Sequence, residues 1–325
     1  MALHPDQARR PDVAARPLGA RHDGDDDVEQ IVTYRTLPDP EILYRHDAYV
    51  GEGPVWDPRI GRVIWVDIPN GRVFSTDPHD GQTTSRKLDQ SVGVVLPRAA
   101  GGYVAALQDG FYTLSDAGET ELIAPVEADN PATRMNDGET DPQGRIWAGT
   151  MGWEAEPGAG ALYRLDPDGT VTRMLDEITI SNGLGWSPDG GTMYYVDTPT
   201  MRIDRFEFDP VSGAIADRRE FVTIRHGGGR PDGLTVDREG AVWVATWPGY
   251  GVHRYLPDGT LDAIIPLPVS NVSSIELGGP DMRDAWITTA WELLSEEEHA
   301  EQPLAGSLFH TRVEVPGQPR VPFAG

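Results

Sequence analysis

The sequence predicts an all-β protein folded as a six-bladed β-propeller. From about residue 48 the chain consists of short apolar runs separated by Gly, Pro, Asp and Asn, and almost nothing in it repeats with a helical period. Units of about 40 to 50 residues with about four strands each are typical of propeller blades. Six successive units each carry one apolar or aromatic anchor, spaced 39 to 48 residues apart: Trp65, Val104, Trp147, Tyr195, Trp243 and Trp286.

The boundaries of the units follow the same spacing. They are predicted near residues 50–90, 91–130, 133–176, 180–222, 230–266 and 270–315. The segment EILYRHDAYV, residues 41–50, precedes the first unit and is expected to add a strand that closes the ring. A pair of β-sandwiches or a parallel β-helix is the alternative architecture, and the repeat length favours the propeller.

Two sets of turns divide each unit into strands. The phrases DPRIG, DPQG, SPDGG and DREG link a first strand to a second, and the phrases DPHDG, DPDG, DPVSG and LPDG link a third to a fourth. Asp, Pro and Gly supply the backbone angles that tight turns require. The regular return of these phrases predicts four short strands in each unit.

Length and composition limit the classes of protein to which the chain can belong. Its 325 residues can bury a large core, and we expect a single propeller domain over residues 36–325. The absence of Cys excludes disulfides, thiolate metal sites and cysteine nucleophiles. Asp and Glu number 52 against 27 Lys and Arg, a formal net charge of -25 that repels nucleic acids and anionic membranes and favours cations. We therefore expect no nucleic-acid partner and no membrane partner, and no protein partner is implied.

Residues 1–35 are predicted to form a disordered acidic tail. They are rich in Pro, Arg, Asp and Gly, and they include the run DGDDD at residues 23–27. They contain no apolar segment of the kind that a signal peptide has, and no stretch of the chain approaches the roughly 18 apolar residues of a membrane-spanning helix. A cytoplasmic location is therefore expected.

Several oxygen-bearing side chains precede Gly at the starts of first strands. The inner strand of each propeller blade begins at one end of the central channel, so residues at these starts converge on the axis. Carboxylate and amide oxygens bind hard divalent cations such as Ca²⁺ and Mg²⁺. Any one of these residues alone is a common turn residue, but their separation from the connecting turns favours a shared metal site. The candidates come from four units: Glu52, Asn136, Asp137, Asn182 and Asp232.

Five ordered motifs resemble those of the gluconolactonase and regucalcin (senescence marker protein) family of metal-dependent six-bladed propellers. The resemblance covers about residues 45–320, and it implies hydrolysis of a small-molecule sugar lactone, gluconolactone-like or a pentonolactone, to the aldonic acid. The motifs are GEGPVWDPRIGRVIWVDI, RMNDGETDPQGRIWAGTM, SNGLGWSPDGGTMYYVDT, RPDGLTVDREGAVWVATW and GGPDMRDAWITTA.

The resemblance also implies a metal cofactor and its ligands. Glu52, Asn182 and Asp232 match the metal ligands of the family. One divalent ion is expected, Ca²⁺ in the first place, while Zn²⁺, Mn²⁺ and Mg²⁺ support the activity of different family members. Zinc is the less natural choice by ligand type, because neither His nor Cys belongs to the set.

Three further residues match substrate contacts of the family. Arg134 and Asn136 correspond to a substrate-contacting pair, and Glu154 falls where some members carry a further substrate-contacting Glu. The planar fork of Arg134 can hydrogen-bond sugar hydroxyls or a carboxylate, and Asn136 offers both a donor and an acceptor. Trp153 and Trp247 lie in loops after strands, where they are candidates for the wall of a sugar pocket.

These roles lead to a mechanistic hypothesis and to two alternatives. The cation polarises the lactone carbonyl, and Asp232 is the expected catalytic residue because a carboxylate beside the metal can take the proton of the attacking water and pass it to the leaving ring oxygen. A promiscuous ester or organophosphate hydrolase on the same scaffold is one alternative. A non-catalytic calcium-binding propeller is the other, and the placement of Arg134 and Asn136 beside the cation argues against it.

Overall fold

A computed structural model describes residues 34–224 and 228–325 of the chain. The predicted tail lies outside the described residues as far as residue 33, and residues 225–227 lie outside them as well. The described part contains twenty-five strands, a 3₁₀ helix at Thr198–Thr200 and an α-helix, α1, at Glu296–Glu301. Neither of these helices has the length and apolarity that crossing a membrane requires.

The strands form six sheets, which we number as blades one to six in chain order. Two short strands, β1 (Arg35–Thr36) and β2 (Glu41–Tyr44), precede them. Blade one consists of β3 (Gly51–Asp57), β4 (Arg62–Asp67), β5 (Arg72–Thr76) and β6 (Thr83–Lys87). Blade two consists of β7 (Val92–Pro97), β8 (Tyr103–Leu107), β9 (Gly110–Leu114) and β10 (Thr120–Pro125). Blade three consists of β11 (Thr133–Thr140), β12 (Ile146–Gly152), β13 (Gly160–Leu165) and β14 (Val171–Ile178).

The remaining blades repeat this order of antiparallel strands. Blade four consists of β15 (Ser181–Trp186), β16 (Thr192–Asp197), β17 (Arg202–Asp209) and β18 (Ala214–Thr223). Blade five contains β19 (Arg230–Val236), β20 (Val242–Trp247), β21 (Gly251–Tyr255) and β22 (Leu261–Pro266). Blade six contains β23 (Val272–Gly278), β24 (Asp284–Thr289) and β25 (Leu308–Arg312). The six-bladed propeller predicted from the sequence is thereby confirmed.

The first strand of each blade lies innermost, and the ring is closed. Each inner strand contacts the inner strand of the next blade, and β23 of blade six contacts β3 of blade one. The fourth strand of blade six comes from the start of the chain, because β2 pairs antiparallel with β25 and sets Ile42 opposite Phe309. This is the closing strand predicted for residues 41–50. In addition, β1 extends blade five by pairing parallel with β22.

The turns after the inner strands tie the core tryptophans to the backbone. In blade three, Asp141 of the DPQG turn accepts hydrogen bonds from the backbone N–H groups of Gln143 and Arg145 with one carboxylate oxygen and from the indole N–H of Trp147 with the other. Asp237 of the DREG turn in blade five holds the turn and Trp243 in the same way. These tryptophans are fully buried, as the sequence predicts for the blade anchors. In these two blades the turn aspartate therefore fixes both the turn and the position of the buried indole.

The segment after β25 crosses the end of the channel opposite the starts of the inner strands, which we call the lower end. Its Gln318 side chain donates to the carbonyl oxygens of Trp186 in blade four and Val236 in blade five. The backbone of Phe323 donates to Pro97 of blade two, and the Phe323 ring is buried in the core there. The segment therefore links several blades across the axis.

Arg320 of this segment enters the channel from below. Its guanidinium forms ion pairs with Glu139 of blade three and with Glu276 of blade six, the latter at 3.0 Å. All three side chains are largely buried, and burial raises the pKa of Glu276 to about 7 against the opposing charge of Arg320. Arg320 thus supplies the positive charge that lets two carboxylates stay inside the channel.

We predict that Arg320→Met destabilises the fold by about 3–5 kcal/mol, because it leaves two buried carboxylates without a counter-charge. Urea unfolding followed by fluorescence measures the free energy of unfolding. Replacing both carboxylates as well, with Glu139→Gln and Glu276→Gln, should recover most of the loss.

The matched control is Arg312→Met. Arg312 also pairs with two carboxylates, Asp281 and Asp284, but its side chain is 54% exposed, so its removal should cost less than about 1 kcal/mol. Equal losses for the two arginine variants would contradict the role assigned to Arg320.

Candidate active site

The inner strands carry a β-bulge near their starts, at what we call the upper end of the channel. The register shift follows Glu52 in blade one and Asn182 in blade four. It spans Asp232 in blade five, and it spans Asn136 and Asp137 in blade three. A bulge interrupts strict alternation and re-aims the side chains beside it. The predicted oxygen donors therefore share one structural position, repeated from blade to blade.

The Gly residues after these donors allow neighbouring inner strands to approach each other closely. A Cβ atom on Gly183 would lie 2.6 Å from the carbonyl oxygen of Asp232, and one on Gly233 would lie 2.2 Å from the hydroxyl oxygen of Ser274. Both separations are too short for any other residue without a shift of the neighbouring blade. At these positions the oxygen donor lines the channel, and the Gly that follows allows the neighbouring inner strand to approach closely.

A cavity of about 110 Å³ lies at the upper end. Besides the polar groups it is lined by apolar side chains, among them Met151, Ile180 and Trp247. The residues predicted for the site that line this cavity are Glu52, Arg134, Asn136, Asn182 and Asp232.

A chain of hydrogen bonds fixes the side-chain amides of the cavity. Arg134 donates to Asn136 Oδ1 at 2.6 Å, and Asn136 Nδ2 donates to Asn182 Oδ1 at 2.9 Å. Asn182 Nδ2 in turn donates to the hydroxyl of Thr198, which donates to the carbonyl of Pro231 at 2.8 Å. The chain connects blades three, four and five, so each amide has one defined orientation with its oxygen and nitrogen distinguished.

The carboxylates of the cavity repel one another. Burial raises the pKa of Glu52 well above its ordinary value, and the charge of Asp137 raises it further. Burial likewise raises the pKa of Asp232, with Glu52 as the next cause. Burial lowers the pKa of Arg134 to about 10, against the negative charges of Glu292, Glu52 and Asp232. Arg134 therefore offsets the surplus of negative charge only in part.

The donor set fits a hard divalent cation. Glu52 and Asp232 provide buried carboxylates, and Asn182 provides an oriented amide oxygen. The Glu52 carboxylate accepts a hydrogen bond from the N–H of Gly53. Ca²⁺ and Mg²⁺ accept this combination of oxygens. Residues 34–224 and 228–325 contain no group of three His, Asp or Glu side chains placed to hold a metal ion together. Any ion here would depend on the amide and on water or substrate oxygens.

The structure places two of the remaining candidates outside this cavity. Asp137 lies deeper in the channel, next to Gly138 and Glu139, and burial raises its pKa to about 7. Glu154 is exposed and is not part of the cavity lining. Its neighbour Trp153 does reach the site, because the guanidinium of Arg134 lies 5.3 Å from the centre of the Trp153 ring. A substrate contact for Glu154 stays a prediction.

Sequence reasoning missed three polar residues of the cavity: Thr198, Arg230 and Glu292. Thr198 follows β16 and Glu292 comes shortly after β24, both second strands of their blades. Because first and second strands run antiparallel, the end of a second strand lies beside the start of the first. That rule could have found Thr198 and Glu292, whereas Arg230 carries no signal beyond its position before Asp232.

The fold and the cavity together define a class of protein: a six-bladed propeller with a cavity at the upper end of its channel, lined by buried oxygen-bearing side chains. Within that class the chain belongs to the family described as SMP-30/Gluconolactonase/LRE-like region, whose model matches residues 50–291. The resemblance found in the five sequence motifs is thereby confirmed.

Individual relatives share most of the chain. It is 38% identical over 289 residues to 6-deoxy-6-sulfogluconolactonase from Pseudomonas putida, which covers 88% of this chain and 98% of the relative. It is 36% identical over 293 residues to regucalcin from Xenopus laevis, with the same coverage. The crystal structure of a calcium-binding protein, regucalcin, from Agrobacterium tumefaciens superposes with a TM-score of 0.86 at 30% identity, covering 90% of this chain and 99% of that one.

We predict that Ca²⁺ raises the melting temperature of the chelator-stripped protein and that Glu52→Gln abolishes this rise. An ion that binds the folded state at 100 times its Kd stabilises it by about 2.7 kcal/mol. Glu52→Gln should also raise the melting temperature of the metal-free protein by roughly 2 °C or more, because the raised pKa of Glu52 means that its ionised form destabilises the fold at neutral pH.

Differential scanning calorimetry with and without Ca²⁺ measures both effects. Glu121→Gln on the exposed outer strand β10 is the control, and it should keep the response to Ca²⁺. A response to Ca²⁺ that survives in Glu52→Gln would remove Glu52 from the ligand set.

Proposed function

We propose that this protein hydrolyses a sugar lactone to the aldonic acid with one divalent metal ion, Ca²⁺ being the expected one. The main support is that the three proposed metal ligands and the two proposed substrate contacts line one cavity. These residues are Glu52, Asn182, Asp232, Arg134 and Asn136. The names of the relatives support the proposal, since one is a lactonase acting on a sulfonated gluconolactone and another is a calcium-binding protein.

The metal would be held by Glu52, Asn182 and Asp232. When bound, it supplies Lewis-acid polarisation of the lactone carbonyl. It also supplies the positive charge that the two buried carboxylates lack. Asn136 donates to the amide oxygen of Asn182, and the amide nitrogen of Asn182 donates to Thr198. These bonds fix the orientation of the amide, and its oxygen keeps a second lone pair for the ion.

Hydrolysis requires the transfer of one proton from water to the ring oxygen. The water oxygen forms a bond to the carbonyl carbon, the bond from that carbon to the ring oxygen breaks, and the proton ends on the new hydroxyl group of the aldonic acid. Asp232 is the group we assign to this transfer, because its carboxylate lines the cavity together with the other proposed metal ligands and can accept a proton from water there.

Arg134 and Asn136 bind the hydroxylated part of the substrate. Arg134 uses Nη1 to contact Asn136 and the carbonyl of Met135, and its Nε has no partner among the described residues. The face of its guanidinium rests on Trp153. A guanidinium held on one side in this way orients its remaining donors toward a bound ligand.

We predict that Asp232→Asn lowers kcat for glucono-1,5-lactone by about 10²–10⁴-fold while the fold is retained, because general-base catalysis typically contributes a factor of this size. The measurement is proton release in weak buffer by chelator-stripped protein restored with Ca²⁺, Zn²⁺, Mn²⁺ or Mg²⁺ in turn. The rate of uncatalysed hydrolysis is subtracted.

Asp258→Asn is the matched control, since Asp258 is an exposed turn residue of the same blade that binds only the turn in which it lies. It should keep the activity of the unmodified protein. Full activity of Asp232→Asn would overturn the catalytic assignment, and metal binding without hydrolysis of any sugar lactone would favour the non-catalytic calcium-binding propeller.

A further inference from the structure

Glu292 stands in the cavity without a role in the reaction described so far. It lines the cavity together with Arg134 and Asp232, and it is partly buried. Burial raises its pKa, with Arg134 as the principal opposing charge. Among the charges that act on Arg134, that of Glu292 is the largest. The two side chains thus line the same cavity, and their charges interact there.

The main chain around Glu292 is held firmly. The side-chain amide of Asn271 donates to the carbonyl oxygen of Glu292 at 2.8 Å, and the N–H of Glu292 donates to Tyr49 at 3.1 Å. The preceding Trp291 packs edge-on against Tyr49 and stacks on His299 of helix α1. The direction from which the Glu292 carboxylate enters the cavity is therefore set by the scaffold.

The carboxylate of Glu292 makes no hydrogen bond or ion pair with any residue in the described part of the chain, Arg134 included. A guanidinium only donates hydrogen bonds, and an ionised carboxylate only accepts them. A hydroxyl group does both, so it can accept from Arg134 and donate to Glu292 at the same time. A sulfonate, phosphate or carboxylate group only accepts, and it would meet the like charge of Glu292.

We propose that Glu292 is a specificity-determining residue that selects uncharged, hydroxylated lactones over lactones with an anionic substituent. This inference rests on the proposed lactonase function and narrows its substrate class. Such a preference would disfavour a sulfonated lactone of the kind for which one relative is named.

Arg230 is the group on the cavity that works against this selection. It lines the same cavity and would attract an anionic substituent. Arg230 is exposed, so water and salt screen its charge, whereas Glu292 is partly buried and its charge is screened less. The formal net charge of -25 also lowers the local concentration of anionic substrates.

Initial rates on three lactones test the proposal: glucono-1,5-lactone, which is neutral and hydroxylated, glucaro-1,4-lactone, which carries a carboxylate, and δ-valerolactone, which has no hydroxyl group. Glu292→Leu should lower kcat/KM for gluconolactone by about tenfold or more, the usual loss when a hydrogen bond to a charged group is removed. It should change kcat/KM for δ-valerolactone by less than about threefold, because that substrate has no hydroxyl group to lose a partner.

Glu292→Gln separates the effect of charge from that of hydrogen bonding. The amide still accepts from a hydroxyl group, so gluconolactone should be affected less than in Glu292→Leu, while kcat/KM for glucaro-1,4-lactone should rise by about tenfold relative to gluconolactone. Glu297→Gln and Glu297→Leu on the exposed face of helix α1 are the matched controls, and they should leave all three rates unchanged.

The results distinguish the selective role of Glu292 from the lactonase function of the protein. Equal losses on all three lactones in Glu292→Leu, or unchanged ratios in both Glu292 variants, would overturn the selective role and leave the lactonase function intact. Failure of the unmodified, metal-loaded protein on all three lactones would overturn the proposed function and this inference with it. Thermal melting of the Glu292 variants shows whether a loss comes from unfolding.

Discussion

The burial of carboxylates along the propeller axis is the constraint on which the rest of the structure depends. Taking an ionised carboxylate out of water costs several kcal/mol unless a positive charge or well-placed donors compensate it. At the lower end the chain supplies that charge itself, because Arg320 pairs with Glu139 and Glu276. At the upper end Arg134 bonds to Asn136 and the backbone of Met135, so Glu52 and Asp232 keep a surplus of negative charge. One end of the channel is therefore a neutralised structural element, and the other is a cavity that keeps uncompensated negative charge.

The lower and upper halves of the blades differ in the same way: the lower half stabilises the fold, and the upper half carries the candidate site. In blades three and five the lower half is fixed by turn aspartates bonded to core tryptophans, Asp141 with Trp147 and Asp237 with Trp243, whose contacts stay within the protein. The upper half ends in bulges whose side chains turn toward the channel. Functional groups placed on inner strands in this way are positioned by the whole ring rather than by loops, and rigid support of this kind is what a precise site requires.

Much of the fold and part of the site could be predicted from the sequence. The physical reason is burial for the blade anchors and close packing of the inner strands for the oxygen donors. The anchors at Trp147 and Trp243 repeat because each blade must bury the same surface, and the donors Asn182 and Asp232 precede Gly because inner strands meet there closely. Residues outside the repeat gave no such signal. Arg320 stands in a Pro-containing segment where a charged residue ordinarily faces solvent, and only the crossing of that segment under the axis brings it to its partners. Glu292 likewise shares its cavity with residues of other blades, and no spacing in the chain indicates that they meet.

The closure of the ring by β2 has a consequence for how the chain is made. A ribosome synthesises β2 before every blade, but its partner β25 emerges only after blades one to five and most of blade six. The edge of β2 that pairs with β25 therefore stays unpaired until blade six has been synthesised. Pairings between such distant segments form slowly, and an exposed strand edge is prone to join the wrong neighbour in the meantime. Closure of the ring through β2 and β25 therefore follows the synthesis of nearly the whole chain, and an unpaired β2 edge persists until then.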